Sequence, residues 1–347
     1  MSSGAAPVRP GPAGAAIARL EAVFTPFVRR TLGRVVLPLW FSLMTAGLLG
    51  RLGLNAIGSD TRIYYRGAEL WLAGGNPWEA SAGFDGNVYH YAALPSTTVL
   101  FAPATVLPEG VFVALWLAIG VAAAAWVVRV RLGLPWWWLL FPPLAEGLWA
   151  GNPGIVLLAL LLSGRWWLEA LALPLKLYGG VPLAAQLRWR SLLVGAGLVV
   201  ATVVAAPSLW QTFLLNAPAI TTRLLAESAG GYGANAWPAL FGLAVVSLAA
   251  LALLDRVAAG WLAVPAAWPA SEFHYSILAL PVMTPWLAAV LAVPLRGLPA
   301  IAVVAYCVLR VAVAWRAGWR PGVESVRRPV APPTAGPLAT SATAVPR

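Results

Sequence analysis

The residues of this chain that can do acid–base or anion chemistry are few and unevenly placed. Of 347 residues only 12 are acidic, and four of these, Asp60, Glu69, Glu79 and Asp85, lie in one segment, GSDTRIYYRGAELWLAGGNPWEASAGFDGNVYHY. A carboxylate held at the mouth of a membrane cavity can act as a general base, worth about 10² to 10⁴ in rate. Asp60 is the candidate. It stands just before a stretch of helical period, so it can equally serve as an N-cap that satisfies free backbone donors, and the two roles are compatible. Arg62 and Arg66 face two readings, as interfacial side chains reaching toward water or as contacts to phosphate. Tyr64, Tyr65, Trp78, Tyr89 and Tyr91 suit either an aromatic belt or platforms for stacking a sugar.

Lys176 is the second candidate. It is the single lysine among 23 basic residues and lies inside a hydrophobic segment. An ammonium at membrane depth costs about 2.5 to 3.5 kcal/mol unless it lines a cavity or meets an anion. It can bind an anionic group, reach to the interface, or pair with Glu169 two helical turns away. His274, in SEFHYS, is either an interfacial structural residue or a hydrogen-bond donor to substrate. His90, between two tyrosines, reads as structural, and Cys307 as a small packing or lipid-side residue. The two histidines lack a helix-spaced carboxylate set, so the spacing indicates no metal site; a cation on the acidic outer loop stays open. No phosphate-binding glycine loop and no dinucleotide fingerprint is present, so ATP and nucleotide-sugar use is unsupported and no cofactor is expected.

These residues must be positioned by membrane helices. With 60% apolar and 10% charged residues, the composition excludes a soluble cytosolic enzyme. The net charge of +11 is scattered between apolar runs or gathered at the termini, which argues against a nucleic-acid partner and for a topological role beside membrane lipids. Eleven mostly apolar runs between residues 35 and 315 predict an all-α, polytopic transmembrane bundle of about nine to eleven helices. The expected organisation is a cytoplasmic tail with a basic juxtamembrane segment over 1–33, one membrane domain over 34–318 with an outer loop at 58–93, and a disordered tail over 319–347. Arg9, Arg19, Arg29, Arg30 and Arg34 precede the first span and predict a cytoplasmic amino terminus in a multi-pass cell membrane. In the outer loop, Ile63, Gly67, Leu70 and Trp71 share one helical face and Arg62, Arg66 and Glu69 the other. That pattern predicts an amphipathic interfacial helix stopped by GGNP.

The segment from GSDTRIYYRGAELWLAGGNPW to VYHYAALPSTTVLFAPATVLP resembles glycosyltransferase family 87, integral-membrane enzymes of the GT-C type that use a polyprenyl-phosphate sugar. GLWAGNPGIVLLALLL is similar to the family's Gly-Gln-x-Asn helix start, with Asn152 where Gln is usual. LPLKLYGGVPLAAQLRWR, GANAWPALFGL and SEFHYSILALP resemble its Lys-x-x-Pro, Asn-x-Ser and His-Tyr segments. The matches run in order over roughly residues 60–285, about two thirds of the chain. The resemblance implies an inverting transferase on the outer face, moving a sugar, by analogy mannose, from a polyprenyl-phosphate donor to a lipid or glycan acceptor. It implies Asp60 as base, with Lys176, His274, Arg62, Arg66, Tyr64, Tyr65, Asn152 and Tyr275 binding donor phosphate or acceptor. Two other readings stand beside it: a transporter or lipid translocase with intramembrane charges along a path, which predicts internal symmetry that the sequence lacks, and a non-catalytic assembly partner that keeps the fold.

Overall fold

The computed structural model describes residues 31–84, 87–227, 232–233, 237–269 and 271–316. The two tails expected at 1–33 and 319–347 lie almost wholly outside them. The chain is a multi-span helical membrane protein. Four helical stretches are long and apolar enough to cross a membrane, Gly33–Leu52, Glu109–Arg131, Pro238–Ala267 and Leu298–Arg316, and two bent pairs raise the number to six. The expected nine to eleven spans are not reached among the described residues, and proline and glycine are the reason. The run from 132 to 187 contains Pro135, Pro142, Pro143, Pro153, Pro174 and Pro182, and it folds as short pieces: α5 (Pro142–Ala150), α6 (Gly154–Leu162), α7 (Trp166–Ala170), α8 (Ala172–Leu175) and α9 (Gly180–Ala185). Before them come α1 (Leu37–Leu52), α2 (Ser59–Leu72), α3 (Pro95–Phe101) and α4 (Glu109–Ala125), and after them α10 (Trp189–Ala205), α11 (Pro207–Glu227), α12 (Pro238–Ala267), α13 (Pro285–Leu291) and α14 (Leu298–Arg316).

The two bent pairs break for local reasons. Between α5 and α6 the axis turns by 115°, because Gly151 adopts a left-handed conformation (φ 70°) and Pro153 follows. Between α10 and α11 it turns by 101° at Ala206, ahead of Pro207. The apolar runs at 236–254 and 257–271 join as α12, kinked at Asp255, whose carboxylate accepts the Ala258 amide at 2.9 Å and so caps the second half. Large apolar side chains such as Val204 and Leu215, 78% and 75% exposed, mark faces turned to lipid.

The segment expected at 58–93 as a loop is more closely packed than an interfacial helix needs to be. α2 is packed on the protein, not merely laid on an interface: Thr61, Ile63, Tyr64, Tyr65, Gly67 and Ala68 are buried, whereas Leu70 is exposed. Gly67 makes this fit possible, since a Cβ there would sit 3.1 Å from the Tyr91 ring. Within this all-helical architecture the segment also carries one short antiparallel hairpin, β1 (Ser81–Phe84) and β2 (Asn87–His90), in register Ser81 with His90.

Candidate active site

Asp60 is the second residue of α2. The helix begins at Ser59 behind Gly58, which is left-handed (φ 69°) and has Val113 Cγ1 2.4 Å from where a Cβ would lie. Gly58 therefore occupies the N-cap position, and the helix has no side-chain cap bond. The N-cap role expected of Asp60 is corrected accordingly: its Oδ2 instead accepts a hydrogen bond from Asn152 Nδ2 at 2.6 Å. The first turn still places the carboxylate near the positive end of the helix dipole.

Asn152 is delivered by the break between α5 and α6. Thr61 Oγ1 and Trp116 Nε1 both donate to the Gly151 carbonyl, at 2.9 and 3.0 Å, which ties the turn to α2 and α4. The Asn152 amide donates to the Gly147 carbonyl, and its Oδ1 accepts the Gly154 amide, both at 2.8 Å. With the oxygen engaged, the side-chain nitrogen is the atom that meets Asp60.

Lys176 sits on extended backbone (φ −153°, ψ 122°) between α8 and the turn Leu177–Gly179. That unwound chain is pinned by α3: Ser96 Oγ donates to the Pro174 carbonyl at 3.0 Å, and Thr97 Oγ1 to those of Pro174 and Leu175 at 3.1 and 3.0 Å. The ammonium lies 5.2 Å from the centre of the Tyr64 ring. Its charge acts on Asp60 and Glu272. Glu169, the alternative partner from the sequence, is engaged elsewhere, with Arg188 and Ser191.

His274 opens a 3-10 helix, Phe273–Val282, and its side chain is 6% exposed. Its Nε2 lies 3.0 Å from Glu272 Oε2 and its Nδ1 3.5 Å from Glu146 Oε2. Among the described residues, neither His274 Nε2 nor Glu146 Oε2 has a hydrogen-bond partner of good geometry. One donor atom each from Asp60, Glu272 and His274 lies within 4.8 Å of the others. Burial raises the Asp60 carboxyl and the Glu272 charge adds to the rise, against His274, Asn152 and Lys176, leaving it at about 6. Burial alone would lower the imidazole, but Glu272 and Glu146 outweigh it and push His274 up to about 10. Tyr275 packs its ring 4.8 Å from Tyr178 and 5.0 Å from His274.

Asp60, Tyr64, Asn152, Lys176, His274 and Tyr275 are thus brought together. Arg62, Arg66 and Tyr65 are not. At 100° per residue they leave the Asp60–Tyr64 face of α2. Arg66 makes a two-pronged contact to Glu109, at 3.1 and 3.2 Å, Arg62 lies 3.5 Å from the same carboxylate, and Tyr65 donates to the Leu107 carbonyl at 2.8 Å. Glu272, Glu146 and Tyr178 join the site without having been singled out in the sequence. Glu272, two residues before His274, was open to notice; Glu146 and Tyr178 become neighbours only through the broken helices. No family model, curated protein or solved structure matches the chain.

Beside this cluster lies an apolar pocket of about 270 Å³, lined by Leu100, Phe101, Phe112, Trp116, Leu160 and Leu175 among others. Phe101 stacks on Tyr64 at 5.0 Å, and Leu175 precedes Lys176, so the pocket and the charged cluster share a wall. A base, a cation and hydrogen-bond donors beside an apolar pocket can deprotonate a hydroxyl while holding an anionic, lipid-linked group.

Proposed function

We propose that this protein is a glycosyltransferase that moves a sugar from a polyprenyl-phosphate donor to a lipid or glycan acceptor. The observation that carries the reading is the Asp60 carboxylate, oriented by Asn152 and set against His274 and Lys176. Asp60 takes the proton of the acceptor hydroxyl as it attacks the anomeric carbon, the bond from that carbon to the phosphate oxygen breaks, and the sugar is inverted. The leaving polyprenyl phosphate meets the cationic groups Lys176 and His274. The adjoining apolar pocket suits the first isoprene units of the donor. Mannose is the sugar that the resemblance favours.

The test is to incubate the purified protein with radiolabelled polyprenyl-phosphate-mannose and a panel of lipid extracts, with label expected in a new product. No product with any extract removes the reading. An external site is the second part of the proposal: Glu79, exposed in the same loop, changed to Cys should react with an impermeant thiol reagent in intact cells. The native Cys307 is buried and gives little background. Labelling only after lysis would place the chemistry on the inner face.

A second reading draws support from the 115° break at Asn152, since broken helices with charges at the break also form transporter sites. Passage of a lipid-linked sugar across a proteoliposome membrane without new glycosidic product would select it.

A further inference from the structure

We propose that Asp60, Glu272 and His274 form a binding site for one divalent first-row cation of the Mn²⁺ or Zn²⁺ kind. Two carboxylate oxygens and one imidazole nitrogen make a borderline donor set that suits these ions. Donor atoms lie about 2.0–2.2 Å from such a metal, so two of them stand at most about 4.4 Å apart across it. A spread of 4.8 Å closes onto a common ion with small side-chain rotations.

The buried imidazole points independently to a ligand. His274 Nε2 is shut off from water and has no hydrogen bond, although it faces the Glu272 carboxylate at 3.0 Å. An atom so placed is paired with the carboxylate by charge but makes no well-directed hydrogen bond, and two donor atoms 3.0 Å apart are spaced as neighbouring ligands of one ion. Behind it, Glu146 lies 3.5 Å from Nδ1, the arrangement of carboxylate, histidine and metal that fixes ring and tautomer at bound ions. Asp60 is likewise steadied from behind by Asn152.

The ion would have open positions for a phosphate or hydroxyl oxygen, and it would compete with the acceptor proton for the Asp60 oxygen not held by Asn152. The inference does not rest on the transferase reading, because the donors converge whatever the substrate is.

The experiment uses the full-length protein in detergent, stripped with chelator and titrated with MnCl₂ while free Mn²⁺ is followed by EPR. One Mn²⁺ per chain is expected, displaced by ZnCl₂. Glu272→Gln, chosen because that side chain is 40% exposed and tolerant of change, should weaken binding by more than about 10-fold. Asp60→Asn should do the same, while Glu109→Gln, outside the cluster, should bind as wild type does. A melting curve confirms that each variant is folded, and Mn²⁺ should raise the melting temperature of wild type but not of Glu272→Gln. Absence of saturable binding to the wild type, or unchanged affinity in folded Glu272→Gln, overturns the site. No donor or acceptor is present, so failure of the transfer assay and failure of this one are separate outcomes.

Discussion

Two regions of the molecule bury carboxylates, and they treat them in opposite ways. Glu169, 1% exposed, has both oxygens occupied, one by Arg188 and the other by Ser191 Oγ at 2.8 Å, and Arg190 stacks on Trp166 alongside at 4.0 Å. That site joins α7 to the start of α10 and leaves neither carboxylate oxygen without a partner. Around His274 the charges are as closely set, yet His274 Nε2 and Glu146 Oε2 lack hydrogen bonds. A satisfied buried pair fixes structure; a buried group without its partner is costly in a folded chain and persists where something else completes it. The difference separates a clamp from a site, although both were drawn from the same few charged residues.

The sharpest way to break the comparison is to remove one carboxylate from each region. Asp60→Asn keeps the size of the side chain and can still bond Asn152 by turning its amide, but it has no base. The expected outcome is transfer reduced by about 10² to 10⁴, with a melting temperature close to wild type. Turnover within a few-fold of wild type would take Asp60 out of the mechanism.

Glu169→Gln should do the reverse. Ser191 keeps an acceptor, but the Arg188 guanidinium loses its counter-charge. Breaking a fully buried pair costs about 3 to 5 kcal/mol; Arg188, 38% exposed, recovers part of that from solvent, so a loss of about 1 to 3 kcal/mol is expected. Chemical denaturation measures it, and transfer per folded molecule should be unchanged. Loss of transfer in the fully folded variant would show that this clamp also shapes the site.

Lys176 sharpens the contrast from within the site. On unwound chain held by Ser96 and Thr97, the ammonium has no carboxylate in salt-bridge contact among the described residues. Lys176→Met should raise the KM for a polyprenyl-phosphate donor by more than about 10-fold, the worth of a charge-assisted contact of roughly 1.5 kcal/mol or more. Lys176→Arg should recover part of it, because the charge survives on a wider head. An unchanged KM in Lys176→Met would leave His274 as the group that meets phosphate.

Much of this site was legible in the sequence because its residues are anomalies there: an acid in a chain that avoids acids, one lysine among arginines, a histidine in an apolar run. Glu146 was not legible, since it reads alone as a residue at a membrane boundary and only the folding of α5 against the 3-10 helix sets it beside His274; Glu272, two residues before His274, was open to notice but reads alone the same way. The N-cap reading of Asp60 failed by two residues, because a left-handed Gly58 could start the helix earlier than an acidic cap would. Spans were overcounted because apolar length shows what lipid tolerates, whereas Gly151-Asn152-Pro153 and Pro174 decide where a helix stops. Arg62 and Arg66 were drawn to the site by nearness in sequence to Asp60, and Glu109, 43 residues beyond Arg66, claimed them.

The smallest expected effect belongs to that arginine pair. Glu109 is 30% exposed, and its partners Arg62 and Arg66 are 37% and 42% exposed, so solvent screens all three charges. Exposed pairs of this kind contribute about 0 to 1 kcal/mol, and Arg66 keeps its second bond, to the Ser81 carbonyl at 3.1 Å, when the carboxylate is gone. Glu109→Gln should therefore lower stability by less than about 1 kcal/mol and leave donor KM unchanged, with even the stability loss fading as salt is raised. The result discriminates because α2 carries Asp60 on one face and these arginines on another. If the helix is held mainly by its buried residues, from Thr61 to Ala68, freeing two arginines will not move Asp60. A donor KM that rises in Glu109→Gln and is restored in Glu109→Asp would show that this ion pair sets the register of α2, and that the surface of the helix positions the base together with its core.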